Sequence, residues 1–246
     1  MAKKEKKVEI VFNVPKSRNQ PVFKVARVFL KWIYRVKTVE NLNGEPLPNK
    51  CIVVANHSAK RGPMCMELYF PLFCAKWGAH EMLGNYNMRF HYLRDIFYMK
   101  KQGFSKFKST LKAAFEALFS IYFYRGMKVL PTFPDSRLRK TIQYSMDMLN
   151  NDMGVMVFPE NSNEGYFDEM TQFFPGFVML AETYFKKTGE DVPVYPAYYS
   201  EKLKKIVIGK PLKVQDFAKE GLDRYQIADK FKDAVNALYH EHILNA

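Results

Sequence analysis

Two groups able to move a proton, an imidazole and a carboxylate, stand in matching surroundings. Asn56-His57 follows the apolar run Cys51-Ile52-Val53-Val54-Ala55, and Glu160 ends Phe158-Pro159-Glu160 after Val155-Met156-Val157. Short runs of β-branched and apolar residues suit strands buried on both faces, as in a parallel sheet. A polar residue just past such a strand lies at the rim where open α/β sheets place their ligand crevices. Two rims, one with His57 and one with Glu160, point to a single site assembled from distant segments. Each signal alone is weak, because a turn histidine is as compatible with a structural role.

The elements that must position these rims alternate between strand and helix. Gln20–Lys37 reads as a helix that mixes Val25, Phe29, Trp32 and Ile33 with Lys24, Arg27, Lys31 and Arg35 at three- and four-residue intervals. That composition fits an interfacial membrane helix, and equally a packed helix with a solvated basic face. Asn41–Asn49, with Gly44, Pro46 and Pro48, reads as a turn segment. Pro63–Ala75 reads as a buried helix despite Pro71, and Trp77–Gly103 gives no clear period. Ser105–Tyr124 reads as a strong helix, with Phe107, Leu111, Ala114, Phe115, Leu118 and Ile121 at helical spacing. A strand near Met127–Leu130 and a helix from Asp135, as N-cap, to Asn150 follow. Beyond Glu160 come a polar loop, a helix over Gly176–Lys187 and strands at Pro193–Tyr199 and Lys205–Ile208. The last helix is capped by Asp223, with Ile227, Phe231, Ala234, Val235, Leu238 and His242 inward. The class is α/β: one domain over residues 20–246, with a mostly parallel central sheet flanked by helices and an N-terminal amphipathic helix. Residues 1–19 read as a basic arm, with a short strand at Val8–Phe12.

Composition narrows the partners. With 246 residues and 48% hydrophobic content the chain supports one sizeable core. The 21 Phe, 15 Tyr and 13 Met suit an adaptable apolar cavity such as one for an acyl chain, or simply an aromatic-rich core. A formal charge of +13 predicts an anionic partner: a phospholipid surface, nucleic acid or a phosphate-bearing substrate. Cys51, Cys65 and Cys74 lack metal-ligand spacing and an even count, which fits a reducing cytoplasm and predicts no metal. No stretch reaches the roughly 18 uninterrupted apolar residues of a membrane span. The expectation is a cytoplasmic protein, peripheral to the inner face of the membrane.

In order and spacing the motifs resemble those of the glycerolipid acyltransferases typified by 1-acylglycerol-3-phosphate acyltransferase. Ile52–Pro63 is similar to that family's first motif, Asn-His and then, after four intervening residues, Asp. Val157–Asn163 is similar to its third, Phe-Pro-Glu-Gly-Thr-Arg-Ser. Phe173-Phe174-Pro175-Gly176 resembles the helix entry, Val192–Ala197 the fourth motif, and Ile208-Gly209-Lys210-Pro211 the late strand end. The resemblance covers the chain from about residue 36 onward. It implies that His57, as general base, takes a proton from an acceptor hydroxyl, which attacks an acyl thioester. No acyl-enzyme and no cofactor are implied, and the donor is an acyl-CoA or acyl-carrier protein. Acceptor binding falls to Asn56, Glu160, Asn161, Ser162 and Asn163, and the acceptor is a lysolipid or glycerophosphate.

The sequence departs from the family pattern in three places. Gly62 stands where the family has its imidazole-orienting Asp, and Asn161-Ser162-Asn163 replaces Gly-Thr-Arg. No second-motif Arg is evident in Met127–Phe133. In a hydrolase triad, neutralising the orienting carboxylate lowers turnover about 10⁴-fold. Glu67, Glu160 and Glu164 are the carboxylates available to replace it. Lys60 and Arg61 are either phosphate contacts or solvated loop charge. The readings are an acyltransferase of phospholipid synthesis, or a non-catalytic relative that binds lipid or a partner enzyme. Nucleic-acid binding rests on charge alone and is not expected, because the aromatics fall in apolar periodic segments.

Overall fold

Ile52 and Val54 point to one face of the sheet and Cys51, Val53 and Ala55 to the other, and all five are fully buried. Strand alternation therefore feeds two separate cores from one apolar run. The computed structural model describes residues 21–58, 61–162 and 165–244. The arm at 1–19 and its expected strand at Val8–Phe12 lie outside them.

In chain order the elements are α1 (Pro21–Ile33), β1 (Thr38–Asn41), β2 (Ile52–Ala55), α2 (Arg61–Tyr69), β3 (Cys74–Ala79), α3 (Tyr86–His91) and α4 (Lys106–Gly126). There follow β4 (Leu130–Thr132), α5 (Leu138–Asn150), β5 (Gly154–Val157), α6 (Gly176–Thr188), β6 (Val194–Ser200), β7 (Lys205–Ile208), α7 (Val214–Lys219) and α8 (Arg224–Tyr239). The seven strands form one sheet in the order β1-β7-β6-β2-β5-β3-β4, and β6–β7 is its antiparallel pair. Central β2 lies between β6 and β5, in register Val54 with Pro196 and with Val157. One face of the sheet packs on α5, α6 and α8 through residues such as Ile142, Phe177 and Phe231. The other carries Cys65 and Met66 of α2.

Several expectations need correction. The helix expected over Pro63–Ala75 stops at Tyr69, and Cys74-Ala75 enter the sheet paired with Gly154-Val155. Pro71 cannot continue a helix, and pairing with β5 satisfies the backbone beyond it. The helix expected over Gln20–Lys37 ends at Ile33, and Thr38–Asn41, of which Asn41 alone carries an expectation as the start of the turn, forms edge strand β1 beside β7. The strand near Met127 starts at Leu130, because Met127 caps α4 and Lys128 adopts a left-handed φ of 55°. Asp135 does not cap α5: its carboxylate accepts the Arg137 N–H one turn earlier, and α5 starts at Leu138. Trp77–Gly103 resolves into the end of β3, a 3₁₀ turn at His80–Leu83, α3 and a π-helical segment at Tyr92–Lys101. Asp223 does cap α8, in a reciprocal pair with Gln226.

The largest departure concerns α4. Of the apolar residues read at helical spacing, Phe107 is 82% exposed and Leu111, Phe115 and Leu118 also face out, as does Tyr122, while Ala114 and Ile121 are half-buried. Ser109, Ala113, Ala117 and Ser120 turn inward instead, and Ala113 and Ala117 pack against Leu93, Phe97 and Tyr98 of the π-helical segment. Small side chains let α4 approach its neighbours closely, at the cost of leaving its large ones without cover. On α1, Val25, Val28, Phe29, Trp32 and Ile33 are likewise exposed, while Phe23 is buried against Met127 and Val129.

Candidate active site at the sheet edge

His57 and Glu160 each lie three residues beyond the register pair Val54–Val157, so parallel pairing delivers both to the same edge. They meet: the backbone N–H of His57 donates to Glu160 Oε2 at 3.0 Å. The half-buried His57 ring stacks on Tyr166, with centroids 5.0 Å apart, and meets the edge of Phe158 at 5.4 Å. Two aromatic faces thus fix the plane of the imidazole. Ser58 follows with a left-handed φ of 41°, and its carbonyl accepts the N–H groups of Arg61 and Gly62 at the start of α2. A non-glycine residue held there signals local strain beside the imidazole.

His57 lies where two cavities join. The first, of about 680 Å³, runs under Leu30 and Tyr34 and along α4 past Phe115, Phe119 and Phe123. The second, of about 790 Å³, is lined by Glu160, Asn161, Ser162, Thr132, Phe177 and Arg224, among others. His57, Trp77, Tyr92, Lys101 and Phe158 border both. Both are walled mainly by rings and aliphatic groups, as an acyl chain requires; the first also carries Lys76, Lys112, Glu116 and Ser120, and the second Glu160, Asn161 and Ser162.

Glu160 is buried, and desolvation pushes its pKa above the ordinary carboxylate value. The N–H groups of His57 and Phe167 and the charge of Lys101 act against that rise. Lys101 Nζ donates to Ser162 Oγ at 2.6 Å and lies 5.6 Å from the Tyr166 ring centre. Burial lowers its pKa, with Glu160 opposing. This cation at the junction is one that sequence reasoning missed. Among 38 Lys and Arg nothing in Lys100-Lys101 distinguishes it, and only the π-helical segment carries it to the Ser162 loop.

The other expected site residues take varied positions. Asn56 is buried and spends its amide on the backbone of β6: Nδ2 donates to Tyr199 O at 3.0 Å, and Oδ1 accepts Tyr199 N–H at 2.8 Å. It fastens the His57 turn to the sheet, which corrects its assignment to substrate. Arg61 also departs from its expected role: it pairs with Glu201 at 2.9 Å, lies near the Tyr34 ring and borders neither cavity. Asn161 borders the second cavity while its amide donates to Gln172. Lys60, Asn163 and Glu164 lie outside the described residues. Of the carboxylates considered for orienting His57, Glu160 holds its backbone and Glu67 forms a fully buried ion pair with Lys76 at 2.6 Å.

Gly62 is fixed by space. A Cβ there would overlap the carbonyl oxygen of His57 and come 2.8 Å from its carbonyl carbon. Position 62 therefore cannot carry the family's Asp in this backbone. The substitution is built into the turn and is not a simple loss of a side chain.

The sheet order, the crossover helices and the histidine rim define an α/β fold of the acyltransferase type. Among solved structures, the chain matches the 1-acyl-sn-glycerophosphate (LPA) acyltransferase, PlsC, from Thermotoga maritima with a TM-score of 0.51 at 19% sequence identity. The match covers 88% of this chain and 79% of that one. No protein-family model and no curated protein sequence matches the chain. At this identity the likeness establishes the shared fold.

Proposed function

We propose that the protein is an acyltransferase, moving a fatty acyl group from an acyl thioester to a hydroxyl of a glycerolipid-type acceptor at a membrane surface. The observation that carries this reading is the position of His57, held against the rings of Tyr166 and Phe158 where two largely apolar cavities meet, one of them bordered by Glu160 and Ser162. The thioester carbonyl would sit at the junction with its chain in the first cavity. His57 takes the proton of an acceptor hydroxyl presented from the second, and returns it to the departing thiolate. Bringing both substrates to one base accounts for much of the rate such a site can supply. Lys101 is the cation beside the reacting atoms and is suited to an acceptor phosphate or to the developing oxyanion. The reading needs no metal or cofactor. It leaves acyl-CoA and acyl-carrier protein as alternative donors, and lysolipid or glycerophosphate as acceptor.

The membrane part of the proposal rests on α1 and α4. Trp32 is 77% exposed, and Phe29, Phe107, Phe115 and Phe119 are exposed as well; grouped exposed apolar residues mark contacts with a partner or a membrane. Lys24, Lys31, Lys106, Lys108 and Lys112 are exposed on the same two helices, and Arg35 just beyond α1. Leu30, Leu111, Phe115 and Phe119 border the first cavity, so its rim continues into that surface. None of the helices among the described residues is long and apolar enough to cross a membrane. We place the protein at the cytoplasmic face, bound to anionic phospholipid. Such binding weakens as salt rises, each basic residue contributing on the order of 1 kcal/mol near the surface.

The geometry of Gly62 favours a second reading, a lipid-binding relative without turnover. The test supplies acyl thioester and a lysophosphatidate-type acceptor on anionic vesicles and follows free thiol and acylated product. Transfer supports the enzyme. Vesicle and chain binding with no transfer to any acceptor supports the second reading.

A further inference from the structure

Polar side chains interrupt the largely apolar wall of the cavity beside His57: Lys76, Lys101 and Lys112, and a group of three on α4 and its neighbour. Glu116 and Ser120, one turn apart on α4, both border the cavity, and so does Tyr98, whose hydroxyl donates to Glu116 Oε2. Burial first, and the Glu116 carboxylate second, push the Tyr98 phenol up, so it keeps its proton and remains a donor. Ser120 is 5% exposed, and among the described residues its Oγ makes no hydrogen bond. This departs from the habit of the molecule: Thr110, Ser145, Thr183 and Thr188 each donate to the carbonyl four residues back. A buried helical serine without that bond carries a desolvation cost, and a turn of its side chain toward the cavity it borders would let a ligand oxygen remove that cost.

Resting on the acyltransferase reading, we infer that this cavity selects acyl chains bearing an oxygen substituent, a hydroxyl or oxo group partway along the chain. Ser120 donates to that oxygen or accepts from it. Glu116, which already accepts from the Tyr98 hydroxyl, lies one turn away as an acceptor for a chain hydroxyl. An unsubstituted chain would bury the Ser120 hydroxyl against methylene groups. The rings of Phe97, Phe115, Phe119 and Phe123 in the same wall supply the apolar contact for the rest of the chain.

The experiment uses the full chain on anionic vesicles. Displacement of a fluorescent fatty acid is measured with hexadecanoic acid and with a series of hydroxyhexadecanoic acids differing in hydroxyl position. Transfer from the corresponding acyl-CoA donors is measured in parallel. The inference predicts at least about tenfold tighter binding for one hydroxylated position, with the same preference in kcat/KM. Ser120→Ala should erase the preference while binding of the plain chain holds or tightens, and Ser120→Thr should keep part of it. Glu116→Gln should weaken it less than Ser120→Ala does. Equal binding of every chain, or a preference that survives Ser120→Ala, would overturn the inference. If the binding preference is present but no donor is turned over, the chain selectivity stands and the acyltransferase reading falls.

Discussion

Helices α4 and α8 carry the same kind of pattern and use it in opposite ways. Each repeats large apolar residues at helical spacing. In α8, Ile227, Phe231, Val235 and Leu238 are buried against the sheet, and Asp229, Lys230 and Asp233 face water. In α4 the large residues face out and the small ones face in. Neighbours explain the difference. α8 lies over β2 and β6 and faces the broad apolar surface of the sheet. α4 lies across α3 and the π-helical segment, where Arg89 reaches the Ala117 carbonyl at 3.0 Å and only small side chains leave room. Period alone therefore identifies an amphipathic helix without saying whether its apolar face meets the core or another phase. One helix is part of the packing, and the other leaves its large side chains exposed.

Substitutions should separate the two. Phe231→Ala, which opens a cavity among Phe177, Phe217 and the sheet, should cost about 3–5 kcal/mol in chemical denaturation. Phe107→Ser with Leu118→Ser on α4 should leave stability within about 1 kcal/mol, because both positions are already exposed. The same pair should weaken vesicle binding more than about tenfold, since each side chain inserted into lipid contributes about 1.5–3 kcal/mol. If the α4 pair lowers stability as much as Phe231→Ala, its exposed face is covered in solution and the contrast fails.

A contrast of the same kind exists inside the site, between Gly62 and Lys101. From sequence, Gly62→Asp is expected to raise the rate if the orienting Asp is simply missing, and to be neutral or harmful if another carboxylate already does its work. The overlap with the His57 carbonyl predicts destabilisation of about 1–3 kcal/mol and loss of transfer. A faster Gly62→Asp enzyme would show that the turn after His57 rearranges freely. Lys101→Met keeps the bulk of the side chain and removes its charge. It should lower transfer to a phosphate-bearing acceptor about 10–100-fold, the range expected for a charged hydrogen bond, with little change in stability. An unchanged rate would remove Lys101 from the site.

The smallest expected effect is the pH dependence of Glu160. Its folded pKa is raised by burial, so ionisation opposes folding. The stability tied to its neutral form is fully present below the ordinary carboxylate value and is lost as pH rises through the folded value. Glu160→Gln should flatten that decline while keeping a side-chain oxygen for the His57 N–H. An unaltered stability–pH curve would show that the carboxylate is better solvated than its surroundings indicate.

The sequence was most readable where backbone pattern and chemistry coincide. Val54 and Val157 mark the ends of their strands, and the residues three places on are His57 and Glu160, so the meeting of base and carboxylate could be expected from two short runs. Asp223 capped α8 as its side-chain chemistry requires. Legibility failed where a role depends on a long-range neighbour. Asn56 reads as a site residue, yet its amide is taken up by β6, and Lys101 reads as one charge among many. Cys74–Ala79 became a strand only because β5 offered it a ladder. Gly62 reads as a missing Asp, whereas in space it is a position that admits no side chain.

The account's central claim is that His57 performs acyl transfer at the junction of the two cavities. A single-turnover reaction tests it most directly: radiolabelled acyl-CoA and a lysophosphatidate acceptor on anionic vesicles, with wild type and His57→Ala at matched folding by circular dichroism. The account predicts acylated product with wild type and a fall of at least about 100-fold with His57→Ala, the lower end of what a general base contributes. Equal product from both proteins would contradict it.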